Sequence, residues 1–203
     1  MQGEIFNIVL NWAKKFVQNL KSTNPAPLEP ITMFLTGGAG VGKTHLVKCI
    51  YQSLAKILVY KGDELDKPRV IKLAPTGIAA VNFDGTTIHT GLNIPIKHFL
   101  PMSDRQRTTI RNKLLFVQFI IIDEISMVSS SLLLNIHRRL CEIFGVVDER
   151  PFAGKGILVC GDFYQLPPVL AKPAFSIDGS MISAFKLWHL FKLAELTETM
   201  RQW

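Results

Sequence analysis

The chain has 203 residues, 48% of them hydrophobic, and 23 Lys and Arg against 16 Asp and Glu give a formal charge of +7. The apolar share excludes a disordered polymer, and the length suits one α/β domain with a sizeable core. No apolar run reaches membrane-spanning length and no charged-then-apolar leader opens the chain, so a soluble, unsecreted protein is expected.

Cys49, Cys141 and Cys160 are too few and too scattered for a disulfide framework or a zinc site. Cys49 and Cys160 lie among apolar residues and read as buried small hydrophobes in a reducing compartment. The basic excess suits a polyanionic partner, and a merely solvated basic surface is the alternative.

In chain order, Ile5, Phe6, Val9, Leu10, Ala13, Phe16, Val17 and Leu20 recur at helical spacing and predict an amphipathic helix over 3–21. Ser22 to Pro30 carries three prolines and reads as a connector. The apolar run 31–35 predicts a buried strand, and 45–51 predicts a helix. Between them stands Gly37-Gly38-Ala39-Gly40-Val41-Gly42-Lys43-Thr44, which fits G-x-x-x-x-G-K-[ST], the phosphate-cradling P-loop pattern. Glycines let successive N–H groups turn inward toward phosphate oxygens, and the following helix N-terminus favours an anion. In that pattern Lys43 reaches the β- and γ-phosphates and the Thr44 hydroxyl holds Mg²⁺.

A second strand is expected over 69–74, stopped by Pro75-Thr76-Gly77, then a short helix over 78–82 and a turn at Asp84-Gly85. Residues 91–112, with Arg105, Arg107 and Arg111, read as polar and irregular. Pro75, Thr76 and Gly77, with Thr86 and His89, offer hydroxyls, amides and an imidazole on loops. These suit contacts to a nucleic-acid backbone, and plain turn formation is the competing reading.

The third strand, 119–122, ends at Asp123-Glu124. An acid at such a tip can ligate Mg²⁺, while its neighbour orients or deprotonates an attacking water. Leu132, Leu133, Ile136, Leu140 and Ile143 mark another helix, and 156–160 a fourth strand ending at Gly161-Asp162. Gln165 stands in the loop beyond, where its amide suits a γ-phosphate sensor; a Pro-stiffened loop is the alternative. The fifth strand is expected over 192–196. Arg201 follows it, as a bidentate phosphate clamp or as a surface Arg. Apolar strands alternating with helices predict a mostly parallel sheet covered on both faces, with ligands outside the carboxyl ends of the strands.

These stretches together resemble the Pif-type (petite integration frequency) DNA helicases, in the RecD-like branch of superfamily 1. The carrying residues are 37–45, 74–80, 85–89, 121–127, 161–169 and 196–202, in the family's order and across nearly the whole chain. The Gly-Gly-Ala-Gly-Val-Gly-Lys-Thr-His form and Pro151-Phe152-Ala153-Gly154 are similar to the cousins carried by Helitron-type mobile elements. The resemblance implies a RecA-like P-loop NTPase domain of the α/β class over 31–203, preceded by a helix and connector over 1–30. It implies an intracellular motor, nuclear or mitochondrial, that uses ATP and Mg²⁺ to move 5′ to 3′ on single-stranded DNA and open duplex junctions.

Residue by residue, the resemblance puts Gly38, Ala39, Gly40, Val41, Gly42, Lys43, Thr44 and His45 around the nucleotide. Asp123 falls with Thr44 on Mg²⁺, Glu124 on the attacking water, and Gln165 and Arg201 on the γ-phosphate. Gln2, before Ile5-Phe6 and Val9, looks like the family's adenine-reading glutamine. Pro75, Thr76, Gly77, Thr86 and His89 lie along its DNA path. The family has two RecA-like domains with ATP between them, and no second set of motifs follows Arg201 here. The expectation is therefore the first motor domain of a longer protein, binding nucleotide but hydrolysing ATP slowly and not unwinding alone. Other P-loop NTPases and a DNA-gripping module without turnover are the alternatives. The sequence lacks the Asn-Lys-x-Asp guanine motif.

Overall fold

Strands β4 (Phe119–Ile122) and β5 (Gly156–Cys160) are buried at every position, and this continuous burial dictates the architecture. A strand apolar on both faces needs cover on both, which a parallel sheet receives from its crossover helices. The computed structural model describes residues 1–59, 66–147, 150–176 and 186–198. Within them, β1 (Thr32–Gly37), β2 (Val70–Ala74), β3 (Thr86–Thr87) and β6 (Lys192–Leu196) complete a six-stranded sheet in the order β3-β2-β4-β5-β1-β6. Every pairing is parallel.

Alternate residues of the central strands feed two separate cores. On one face Met33, Leu35, Ile121 and Leu158 meet α1 (Gln2–Lys21) and α2 (Lys43–Ile57) through Val9, Trp12, Ile50 and Leu54. On the other, Phe34, Ile120, Ile122, Ile157 and Val159 meet Leu133, Ile136, Leu140 and Ile143 of α6 (Ser130–Phe144). The expected α/β fold, a RecA-like domain with helices on both faces of a parallel sheet, is what the chain forms. Among the described residues no helix is long and apolar enough to cross a membrane.

Short helices α3 (Gly77–Asn82) and α4 (Ile88–Gly91) leave the tips of β2 and β3, as the breaks after Ala74 and Thr87 require. Three expectations fail. Gly77, Thr86 and His89 are not on loops, since they belong to α3, β3 and α4, where the pairing of β3 with β2 orders the segment. Residues 91–112 are not irregular throughout, because α5 (Asp104–Leu114) begins within them. Only Ile110 and Leu114 of α5 are buried, so the apolar period is faint, and the helix is announced instead by a Ser103/Gln106 capping box. Cys160 is buried as expected, but Cys49 is half-buried, its Sγ 3.6 Å from the exposed His45 Nε2 one turn earlier on α2.

Candidate active site

Parallel strands bring their carboxyl ends to one edge, so β1, β4 and β5 deliver residues 37–43, 123–124 and 161–165 side by side. The first loop rises from β1 beside β6. A Cβ on Gly37 would stand 2.5 Å from Leu196 O and 2.9 Å from Val41 Cγ2, so only glycine lets the loop turn there, at φ 147°. Gly40 and Gly42 take φ of 80° and 86°, and Gly42 opens α2 with no side chain capping its amides. Gly38 and Ala39 are exposed, while Val41 is buried and anchors the loop in the core beneath.

Lys43 Nζ donates to Gly37 O at 2.6 Å and to Gly38 O at 2.9 Å, which holds the ammonium across the loop it belongs to. Thr44 and His45 are exposed at the start of α2. Gln2 reaches the same loop from α1, its Nε2 donating to Val41 O at 3.0 Å. The contact ties the first turn of α1 to the backbone of the cradle.

Asp123 and Glu124 follow β4 directly. Burial pushes the Asp123 carboxyl above its usual pKa, opposed by the Glu124 amide and by the charge of Lys43. Glu124 is also raised, by burial and then by repulsion from Asp123, with Lys43 opposing and Asp162 adding a smaller push. Asp123 and Glu124 thus both feel the charge of Lys43, and Glu124 also that of Asp123 and Asp162. The backbone of Glu124 is left-handed, at φ 51° and ψ 48°, and its N–H donates to Asp123 Oδ1 at 3.0 Å. Next to it, a Cβ on Gly161 would approach Ile125 N to 2.9 Å, so a glycine there lets β5 lie against the turn leaving Glu124.

Asp162 was not singled out from sequence as a site residue, yet it organises the third loop. Its Oδ1 accepts from Tyr164 N at 3.0 Å, its carbonyl from Gln165 N at 2.9 Å and its Oδ2 from Gln165 Nε2 at 3.4 Å. Gln165 is exposed and turned back onto Asp162. The sequence shows an acid after a glycine at the end of an apolar strand, and only the pairing of β5 with β4 puts it beside Asp123-Glu124. Arg201 lies outside the described residues.

Pro75, Thr76 and Gly77 follow β2, whose Leu73 and Ala74 pair with Thr86 and Thr87 of β3. Thr86 therefore stands opposite Leu73, and the half-buried His89 follows two residues beyond Thr87, at the sheet edge from which Thr76 also leaves. The Thr76 Oγ1 caps α3 by accepting from Ala79 N at 3.2 Å, so turn formation occupies one of its lone pairs and leaves its proton to donate.

The donor chemistry here suits a hard cation. Thr44 supplies a hydroxyl, and Asp123, Glu124 and Asp162 supply carboxylates near Lys43. Among the described residues no three His, Cys, Asp or Glu side chains converge into a metal cage.

A family model described as PIF1-like helicase matches residues 12–203. The chain is 34% identical over 182 residues to the ATP-dependent DNA helicase PIF1 of Candida albicans, covering 86% of this chain and 18% of that protein. Among solved structures it is similar to the Pif1 helicase of Candida albicans, with a TM-score of 0.68 and 29% identity over 94% of this chain and 40% of that one. A Bacteroides Pif1 helicase in complex with ADP-AlF3 and single-stranded DNA aligns with a TM-score of 0.58 and 27% identity, over 93% of this chain and 42% of that one.

Proposed function

The chain belongs to the PIF1-like helicase family, and from that premise we propose that it is the ATP-binding first motor domain of a DNA helicase. The observation that carries the reading is the meeting of a glycine cradle, Lys43 and the Asp123-Glu124 strand tip at one sheet edge. In this reading the loop amides of residues 38–45 and Lys43 hold the triphosphate, with Gln2 near the adenine. Thr44 and Asp123 would hold Mg²⁺, which neutralises phosphate charge when bound. Glu124 orients the attacking water, and Gln165 senses the γ-phosphate after leaving Asp162. Arg201 is assigned to the same phosphate.

Thr76, Thr86 and His89, with the backbone at Pro75 and Gly77, take the phosphates of single-stranded DNA along the adjoining edge. The parent motor translocates 5′ to 3′ and opens duplex junctions inside the cell, in the nucleus or mitochondrion. The chain spans 18% of the Candida albicans relative, so a second RecA-like domain of the parent protein is proposed to close the cleft. Tyr164, Leu166, Val169 and Leu170 stand exposed along the loop after β5, apolar side chains that support such a partner.

The test is fluorescence titration with a labelled ATP analogue, followed by steady-state hydrolysis with and without oligothymidylate. Saturable, Mg²⁺-dependent binding that Lys43→Ala weakens about 10- to 100-fold is expected, since one charge-assisted phosphate contact is lost. Binding indifferent to Lys43→Ala would refute the site. Hydrolysis that DNA never stimulates, with nucleotide-dependent DNA affinity, would favour a gripping module over a motor.

A further inference from the structure

Between α4 and α5 lies a groove of about 320 Å³ whose polar lining is Thr90, Asn93, Arg105, Gln106, Thr109 and Lys113. Arg105, Thr109 and Lys113 recur every fourth residue and so share one exposed face of α5, while Ile110 and Leu114 anchor the helix in the core. The other two arginines of α5 are committed to structure. Arg107 pairs with Asp104, and Arg111 donates to Ile143 O and Glu142 O at the end of α6. Arg105 and Lys113 have no side-chain partner among the described residues. Among the described residues no carboxylate lines the groove.

Its neutral groups are set to donate. Thr90 Oγ1 accepts from Thr87 Oγ1, which leaves its own proton available. Gln106 spends its Oε1 on Ser103 N and Oγ and keeps its Nε2. Among the described residues no aromatic ring lines the groove, so its lining suits phosphates and not stacked bases. Its position follows from Gly91, where a Cβ would stand 2.6 Å from Leu73 Cδ2 and 2.8 Å from Thr86 Cγ2. That close approach seats α4 against β2 and β3, so the groove opens beside Thr86 and His89.

We propose that the groove is an accessory phosphate site for single-stranded DNA, extending the strand path from Thr86 and His89 across α4 onto α5. Arg105 grips one phosphate through its guanidinium fork, Lys113 neutralises another, and the Thr90 and Gln106 donors fix the backbone between them. The site rests on the reading of Thr86 and His89 as strand contacts.

The experiment measures oligothymidylate affinity against salt for the 203-residue chain, Arg105→Ala/Lys113→Ala, and Lys14→Ala/Lys15→Ala as an equal charge loss on α1. Loss of two phosphate contacts should lower the slope of log affinity on log salt by about 1.4. The α1 variant should keep the parent slope, and Arg105→Lys/Lys113→Arg should restore most of it. Melting temperature and ATP-analogue affinity serve as folding checks, with Arg105→Gln/Lys113→Gln read in place of the alanine pair if that pair misfolds. An unchanged slope in the groove variant, or an equal fall in the α1 variant, overturns the groove alone. A parent chain that binds no oligothymidylate at low salt overturns the groove and the strand-contact reading together.

Discussion

The amide of Glu124 donates to the Oδ1 of Asp123 at 3.0 Å, and it can do so because Glu124 sits at φ 51° and ψ 48°. A non-glycine residue there costs about 1 to 2 kcal/mol, which the surrounding core must offset. The turn holds the Asp123 carboxylate by its neighbour's backbone, with both carboxylates in the field of Lys43. Two substitutions separate the strain from the chemistry. Glu124→Gln should keep nucleotide affinity and slow hydrolysis about 100-fold or more, since it removes one positioned base. Glu124→Gly should slow hydrolysis at least as much, yet raise stability by about 1 kcal/mol, because glycine accepts this conformation freely. Calorimetry beside an ATPase assay checks both, and a Glu124→Gly chain less stable than its parent contradicts the strain.

Asp123 carries a second, electrostatic cost. Burial raises its pKa above the usual 3.8, so the native chain binds the proton more tightly than the unfolded chain does. Stability therefore falls as pH rises from the ordinary carboxylate range through the raised value, and the penalty persists at neutral pH. Asp123→Asn should remove it while keeping an Oδ1 for the Glu124 amide. The variant should melt higher than the parent at neutral pH, with a flatter profile on the acid side. Its nucleotide affinity should lose most of its Mg²⁺ dependence. A lower melting point at neutral pH would show that the carboxylate is stabilised by its neighbours.

The framework of this site was legible because strand tips announce themselves. Four apolar residues ending in Asp123-Glu124, or five ending in Gly161-Asp162, read as buried strands whose polar successors share an edge. The neighbour relations were not legible, since the sheet places β5 between β4 and β1 by long-range pairing. Asp162 was missed for that reason, as its role depends on which tip it stands beside. The tie from Gln2 to Val41 O was hidden too, because it joins residues 39 apart through α1 packing. Helix α5 escaped a reading built on apolar period, having two buried residues in eleven, although Ser103 and Gln106 spelled its start.

At the opposite end of β5, Lys155 is half-buried, its Nζ 4.2 Å from the Phe144 ring centre and 3.2 Å from Gln118 Oε1. Burial lowers its pKa from 10.5 to about 8. Between those two values the unfolded chain holds a proton that the native chain has released, so stability should rise with pH across that window. The gain should approach about 3 kcal/mol, at about 1.4 kcal/mol per unit. Lys155→Met should be more stable than the parent below pH 8 and should lose the alkaline rise. Urea unfolding on either side of pH 8 measures both, and parallel profiles would show that Lys155 is not the titrating group.

Arg139 of α6 is 1% exposed, the largest fully buried side chain among the described residues. Glu142 accepts from its Nη1 at 2.7 Å and from Met102 N at 2.6 Å, while Arg139 Nη2 donates to Leu100 O at 2.8 Å. The guanidinium also lies 4.7 Å from the Phe99 ring centre. One ion pair therefore fastens the segment leading into α5 to the helix beneath it. Glu142→Ala should cost about 3 to 5 kcal/mol, because it leaves a buried cation uncompensated and an amide without its acceptor. Arg139→Met/Glu142→Leu should recover most of that loss, since an apolar pair needs no desolvation of charge. Denaturant unfolding of the three chains settles it: a single variant within about 1 kcal/mol of the parent would mean that water reaches the guanidinium.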